Sequence, residues 1–207
     1  MEFESTIPTI VIGTHNLAKV ESYRPRLSQV ADRIVSPSDL GISEKPDETG
    51  YTAEENVRIK CRFYVSRTGL PVLCIDEALY ADFLLDEDQP GVHVRRIRGV
   101  EEVTDDSLFT FWEDRIRQAP PDQRTGNWHI AYGVAIPQGQ VHILSRDEPI
   151  LFFYPSSSIR IPGRPLSSLQ GPTQFGKPHC ELTSKELEEI RGNIDQEIVK
   201  IIQMICS

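Results

Sequence analysis

Residues Ile10 to Ser22 read IVIGTHNLAKVES, and how they fold decides the architecture. Ile10-Val11-Ile12 is an apolar, β-branched run of the kind that forms a buried strand. Gly13-Thr14 breaks it, and from Leu17 the pattern turns helical. A buried strand that passes through a short loop into a helix builds an anion site. The first helical N–H groups have no partner within the helix, and the macrodipole adds partial positive charge there. Thr14 brings a hydroxyl, Asn16 an amide and Lys19 an ammonium within one loop and one helical turn, so all three can converge on phosphate oxygens. The stretch is neither a Walker A loop, which needs G-x-x-x-x-G-K-[ST], nor a G-x-G-x-x-G dinucleotide fingerprint. Taken alone, T-x-N-x-x-K fits a surface turn with one solvated lysine; the residues that follow it lift the anion-site reading.

The composition sets outer limits. The 207 residues suffice for one substantial core or one domain with a lobe. The apolar share of 39% and charged share of 26% are those of an ordinary globular chain. A formal net charge of −9 argues against non-specific nucleic-acid binding and against an anionic membrane surface. A small anionic ligand therefore needs a local basic pocket. No apolar run reaches the length of a transmembrane helix, and the acidic start MEFESTIP has no signal-peptide pattern. Cys61, Cys74, Cys180 and Cys206 show no C-x-x-C spacing. Reduced thiols and a cytoplasmic location are expected.

Outward from the opening stretch, helix one should run from Leu17 towards Val30, kinked or broken at Pro25. A short strand follows at Arg33 to Val35. Pro37 to Gly50 is polar and turn-rich. Thr52-Ala53-Glu54-Glu55 is a capping box, and its helix should reach Arg67, with Val57, Cys61, Tyr64 and Val65 as the apolar stripe and Lys60 beside it. Gly69 ends it. Val72 to Ile75 reads as a buried strand with Asp76 and Glu77 at its end, where open α/β sheets place ligand chemistry. The alternative for that acid is a solvated turn. Arg95, Arg96 and Arg98 read as a phosphate clamp, a solvated edge or a subunit contact. A third helix should span Thr104 to Ala119. Trp128 to Ile136 and Gln140 to Leu144 look like a hairpin, with a separate strand at Ile150 to Tyr154. Ser156 to Pro178 has no clear pattern. Thr183 to Glu186 is a second capping box, and Ile194, Ile198, Ile201, Ile202 and Ile205 form a helical stripe that faces the core or a partner.

Several spaced motifs in one order resemble the inosine triphosphate pyrophosphatase family, enzymes that clear non-canonical purine nucleotides. Its T-x-N-x-x-K matches Thr14, Asn16 and Lys19. Its E-x-G-x-T-x-x-E-N-x-x-x-K matches Glu48, Gly50, Thr52, Glu55, Asn56 and Lys60. TGLPVL, Thr68 to Leu73, leads into its D-D-S-G-L, here Ile75 to Leu79, and its P-G-V-Y-S-A-R matches PGVHVRR, Pro90 to Arg96. Asp122-Gln123-Arg124 also fits. The resemblance covers about the first two thirds of the chain. It implies a single domain over residues 1–207, an α/β fold with a central twisted mixed sheet and two lobes, and a nucleotide cleft between them. It further implies a homodimer, Mg²⁺, and cleavage of a purine nucleoside triphosphate to the monophosphate and pyrophosphate. By the same resemblance Asp76 is the catalytic carboxylate and Glu48 joins it as a metal partner. Thr14, His15, Asn16, Lys19 and Lys60 then bind nucleotide.

The chain departs from the family's pattern at Ile75, Glu77 and Ala78, which replace the first Asp, the Ser and the Gly of D-D-S-G-L. A carboxylate at Glu77 would repel a polyphosphate. The base-reading loop F-G-Y-D-P has only Gly163 to Ser167, GRPLS, in its place. The S-H-R motif aligns near Arg191-Gly192-Asn193, and the preceding family lysine falls near Leu187. The phosphate end is retained and the base end rewritten. Three readings follow: an active pyrophosphatase with altered base selectivity, a nucleotide-binding relative with little turnover that regulates a partner effector, and a scaffold without ligand. The second is favoured. It is similar to the family-related subunits that Kongming-type antiphage systems, which respond to deoxyinosine triphosphate, pair with a sirtuin-like NADase. That likeness implies a hetero-complex and an antiviral role, with (d)ITP as ligand.

Overall fold

Two kinds of periodicity, strand runs and helical stripes, alternate through the first half of the chain, and the fold follows them. The computed structural model describes residues 7–97 and 103–206, except the side chains of Arg191 and Asn193. The first six residues and Arg98, third of the arginine trio, lie outside the described residues. Six strands hydrogen-bond in the order β2-β1-β3-β4-β5-β6. β1 (Ile7–Ile12) runs parallel to both β2 (Ala31–Val35) and β3 (Val72–Ala81), whereas β5 (His142–Phe152) and β6 (Gln170–Pro172) are antiparallel. The sheet is mixed, as the fold class requires. β4 spans Thr125–Ala135.

The chain forms two compact units. The first comprises Met1–Asp76, Ala131–Ser145 and Gly192–Ser207. Its helix α1 (Leu17–Leu27) buries Val20, Tyr23 and Leu27 and continues two residues beyond Pro25, so the break comes after the proline. Helix α2 (Ala53–Thr68) starts at a complete capping box, Thr52 with Glu55, and ends at Gly69 in the left-handed region, φ 63°. Both ends match the sequence signals because capping is local chemistry. Ile194, Ile198 and Ile202 are buried, so the isoleucine stripe of the last helix serves the core. Arg26 ties that helix to α1 through Asp195 at 3.0 Å and lies over the Tyr23 ring.

The second unit comprises Glu77–Ile130 and Arg146–Arg191. Helix α3 (Asp105–Gln118), capped by Thr104, buries Leu108, Trp112 and Ile116 against Leu79, Ile150, Phe152, Leu166 and Leu169. The Trp112 and Phe152 rings stack at 5.8 Å. Full burial of each such side chain contributes about 2 to 3 kcal/mol. Helix α4 (Ser184–Cys206) begins at the second capping box, where Thr183 Oγ1 accepts from Glu186 N and Glu186 Oε2 from Thr183 N. Gly192, φ 46° and ψ −135°, interrupts it, a backbone shape that favours glycine.

Two expectations change, and one stretch without a readable pattern proves ordered. Asp76 does not follow a strand; it lies inside β3, which continues to Ala81. The hairpin's second arm and the strand at Ile150 are one strand, β5. Within Ser156 to Pro178, Pro165–Ser168 forms a buried 3₁₀ turn that leads into β6.

Candidate functional site

The loop after β1 is held tight. Gly13 N donates to Leu73 O and Thr14 N to Ile12 O, both at 2.8 Å. A Cβ at Gly13 would stand 2.5 Å from Cys74 Sγ and 2.8 Å from Tyr64 Cδ2, so only glycine fits there without movement. Burial is the main cause that pushes the Tyr64 phenol up to about 12 and the Cys74 thiol well above its usual value. Both stay protonated, so Cys74 offers no thiolate nucleophile behind the loop. Gly13→Ala is expected to destabilise the protein by about 1 to 3 kcal/mol through overpacking and to weaken nucleotide binding. Urea unfolding and calorimetry measure the two effects, and an unchanged unfolding midpoint would show that Cys74 and Tyr64 yield freely.

The loop's polar side chains have definite tasks. Asn16 caps α1, its Oδ1 accepting from Ala18 N at 2.9 Å and Lys19 N at 3.3 Å. Those two N–H groups are therefore committed to the cap, and Asn16 fixes the start of α1 at the end of the loop. Thr14 Oγ1 accepts from Asn16 N at 3.1 Å, which leaves its hydroxyl proton to donate outward. His15 Nε2 lies 3.2 Å from Glu44 O and Nδ1 lies 3.2 Å from Ser38 Oγ. A carbonyl only accepts, so Nε2 carries a proton. His15 fastens the loop to the segment from Ser38 to Glu44 and acts as its support.

Behind the loop stands a carboxylate-lysine cluster. Lys60 Nζ lies 2.5 Å from Asp76 Oδ1 and 3.0 Å from Glu48 Oε2. Asp76 Oδ2 accepts from Asn56 Nδ2 at 3.2 Å, and Asn56 Oδ1 accepts from Gly50 N at 2.9 Å. Burial alone would lower the Lys60 value, but the Asp76 and Glu48 charges and their hydrogen bonds raise it above the ordinary lysine range. Lys60 is thus a permanent cation. Ala53, Asn56, Val57, Lys60, Cys61 and Tyr64 recur at i, i+3, i+4, i+7, i+8 and i+11, one face of α2. Asn56, 2% exposed, was absent from the expected site residues. The signal that finds it is a polar residue within an apolar stripe. Loop and cluster adjoin: Gly13 packs on Tyr64 and Cys74, Lys60 lies one helical turn before Tyr64, and Asp76 lies two strand residues beyond Cys74.

The donor set suits Mg²⁺. Glu48 and Asp76 supply hard carboxylate oxygens, and they already converge on one cation, the Lys60 ammonium. Among the described residues no group of three or more His, Cys, Asp or Glu could hold a metal ion. Further ligands would be phosphate oxygens and water, the usual surroundings of protein-bound Mg²⁺.

Other expected residues lie elsewhere. Successive strand side chains point to opposite faces, so Glu77 leaves β3 on the face opposite Asp76. Leu79, on that same face, belongs to the second unit's core. The Glu148 carboxyl is raised first by burial; Arg146 opposes this and the Glu77 charge adds to it. Glu77 therefore acts beside Glu148 and Arg146, and β3's pleat turns it away from the Asp76 cluster, although it was expected to face and repel a polyphosphate. Arg95 pairs with Asp105 at 2.9 Å, and Arg96 Nη1 lies 3.4 Å from His93 Nε2. In the GRPLS stretch, Gly163 N donates to Asp105 Oδ2 at 2.7 Å.

The family model described as the Ham1 family matches residues 10–147. A dITP/XTP pyrophosphatase from Shigella flexneri is 33% identical over 120 residues, 58% of this chain and 59% of that protein. One from Escherichia coli K12 is 32% identical with the same coverage. The chain thus spans 59% of the length of these curated relatives. Solved structures share the fold over nearly the whole chain. A HAM1 protein from Coxiella burnetii has TM-score 0.75 and 20% identity, covering 96% of this chain and all of that one (100%). A nucleoside-triphosphatase, dITP/XTP pyrophosphatase, from Mycobacterium abscessus has TM-score 0.66 and 21% identity, covering 93% and 98%. The family match stops near where the motifs give out, and it takes in every residue of the loop and the carboxylate-lysine cluster: the chain belongs to the Ham1 family, the inosine triphosphate pyrophosphatase family.

Proposed function

We propose that this protein binds a non-canonical purine nucleoside triphosphate, such as dITP, at the Thr14 to Lys19 loop and the Glu48–Lys60–Asp76 cluster, with little turnover, and that a partner effector reads the bound state. The observation that carries the binding is the convergence of Glu48 and Asp76 on Lys60 beside a glycine-tight, helix-capped loop. Lys19 and Lys60 hold the phosphate tail, Thr14 donates its hydroxyl, and Asn16 shapes the nucleotide-binding loop by capping α1. Glu48 and Asp76 would hold Mg²⁺, which when bound supplies neutralisation of phosphate charge. Low turnover is inferred from the departure from D-D-S-G-L at Ile75, Glu77 and Ala78 around Asp76, with Ile75 built into the core at 1% exposure. A homodimer, or a hetero-complex with the effector as in antiviral defence, is the assembly this reading calls for.

The second reading is an active (d)ITP/XTP pyrophosphatase, supported by the presence of Asp76 in the Lys60 cluster next to the loop. In that case water attacks phosphorus, its proton passes to Asp76, and the bridging P–O bond breaks to release pyrophosphate. The test is paired: ITP, dITP, XTP and ATP with Mg²⁺, reading pyrophosphate release and calorimetric binding on one preparation. Tight binding with little release supports the regulatory reading, and fast release replaces it with the enzyme. Lys19→Ala should weaken binding about 10- to 100-fold in either case, the worth of one charge-assisted hydrogen bond. Unchanged affinity would remove the loop from the phosphate site.

A further inference from the structure

Lys60 Nζ has three N–H groups and three oxygens facing it: Asp76 Oδ1 at 2.5 Å, Glu48 Oε2 at 3.0 Å and the Ile75 carbonyl at 3.4 Å. Its side chain and that of Asp76 are 12% and 10% exposed, so water screens their charges weakly. A divalent ion on the same carboxylates would need to approach their oxygens to about 2.1 Å. It would either overlap the ammonium or leave it stripped of its partners beside a dication, a repulsion that removes orders of magnitude of affinity. We propose that Lys60 is an internal counter-cation: it holds the metal position between Glu48 and Asp76 in the ligand-free protein and yields it only when a polyphosphate offers the ammonium new oxygens.

This inference rests on the reading of Glu48 and Asp76 as metal partners and adds a rule of entry to it. Phosphate oxygens replace the carboxylates as acceptors for Lys60, and the carboxylates then become free to bind metal. The coupling is reciprocal, so metal also strengthens polyphosphate binding. A ligand-free molecule in a Mg²⁺-containing solution therefore keeps an empty, lysine-closed site, and metal binding reports nucleotide.

Mn²⁺ titration followed by water-proton relaxation tests this on the wild type, Lys60→Met and Lys60→Arg, each with and without inorganic tripolyphosphate. Lys60→Met keeps the apolar stem and should bind Mn²⁺ alone about a hundredfold more tightly than the wild type. Lys60→Arg keeps a cation and should exclude Mn²⁺ as the wild type does. Tripolyphosphate should bring Mn²⁺ onto the wild type. Wild-type binding of Mn²⁺ alone, as tight as that of Lys60→Met, would overturn the counter-cation while leaving the metal reading intact. No Mn²⁺ on any protein, with tripolyphosphate present, would overturn both. Should Lys60→Met fail to fold, the wild-type pair of titrations decides, since tight Mn²⁺ binding without tripolyphosphate contradicts the proposal.

Discussion

If the protein turns over dITP with Mg²⁺, Asp76→Asn is expected to lower pyrophosphate release by about a thousandfold, the range in which a positioned general base contributes. The change is close to isosteric, but the hydrogen bonding is not. Asp76 accepts twice, from Lys60 at Oδ1 and from Asn56 at Oδ2. An asparagine must turn its NH₂ towards one of those two donors, so one bond is lost and two donors face each other. Unfolding stability should fall by about 1 to 3 kcal/mol, the cost of one buried group left without its partner. Glu48 remains to pair Lys60, which keeps the loss below that of an isolated buried charge.

Nucleotide binding should survive the same substitution. On the proposed reading Lys19, Thr14 and Lys60 supply the phosphate contacts, and one negative charge fewer lessens repulsion of a polyanion, which offsets a weaker hold on the metal. The variant thus separates the two readings of function. Release that falls while binding persists marks Asp76 as the base of a working enzyme. Wild-type release already at background, with unchanged binding in both proteins, marks a molecule that binds without turning over. Equal and substantial release from wild type and variant would mean that Asp76 is not the base.

What could be read in the sequence was local. Ile10 to Ser22 gave strand, loop and helix because each signal lies within a few residues of what it controls. The capping boxes at Thr52 and Thr183 and the glycine stop at Gly69 held for the same reason. What could not be read depends on partners distant in the chain. Asp76 sits in the middle of a strand, where an acid looks like a strand end, because Lys60 and Asn56 from α2 satisfy it. β5 looks like two pieces because Ser145 to Pro149 is polar. Its burial alternates, and Arg146 and Glu148 lie two residues apart on one face and pair at 3.1 Å. Ser167 and Ser168 are buried in a stretch with no apolar pattern. Their hydroxyls donate back to the Arg164 and Pro165 carbonyls, which makes a buried turn from polar residues. The site was legible as a set of motif positions. The bonds that organise it, from Asn56 to Asp76 and from His15 to Glu44, were not.

Restoring the family's first aspartate by Ile75→Asp is expected to cost about 3 kcal/mol or more of stability and to lower Tm by about 10 °C, without a gain in turnover. Ile75 is 1% exposed in the fully buried run Val72 to Asp76. By the pleat its side chain shares a face with Leu73, Glu77 and Leu79, away from Lys60 and Asn56, so a carboxylate there meets no donor of the cluster. Glu77, two residues along on the same face, adds a like charge. The new acid must stay protonated or tear the packing, and in neither state can it serve a metal held by Glu48 and Asp76. The substitution therefore asks whether the phosphate site has merely lost one ligand or has been rebuilt around its absence. Thermal unfolding and pyrophosphate release of Ile75→Asp answer it together. A stable variant with raised release would place position 75 in the site and make the isoleucine a removable block. A destabilised variant with no gain places it in the core, where the chain has exchanged a ligand for packing and left Asp76, Glu48 and Lys60 to manage the polyphosphate alone.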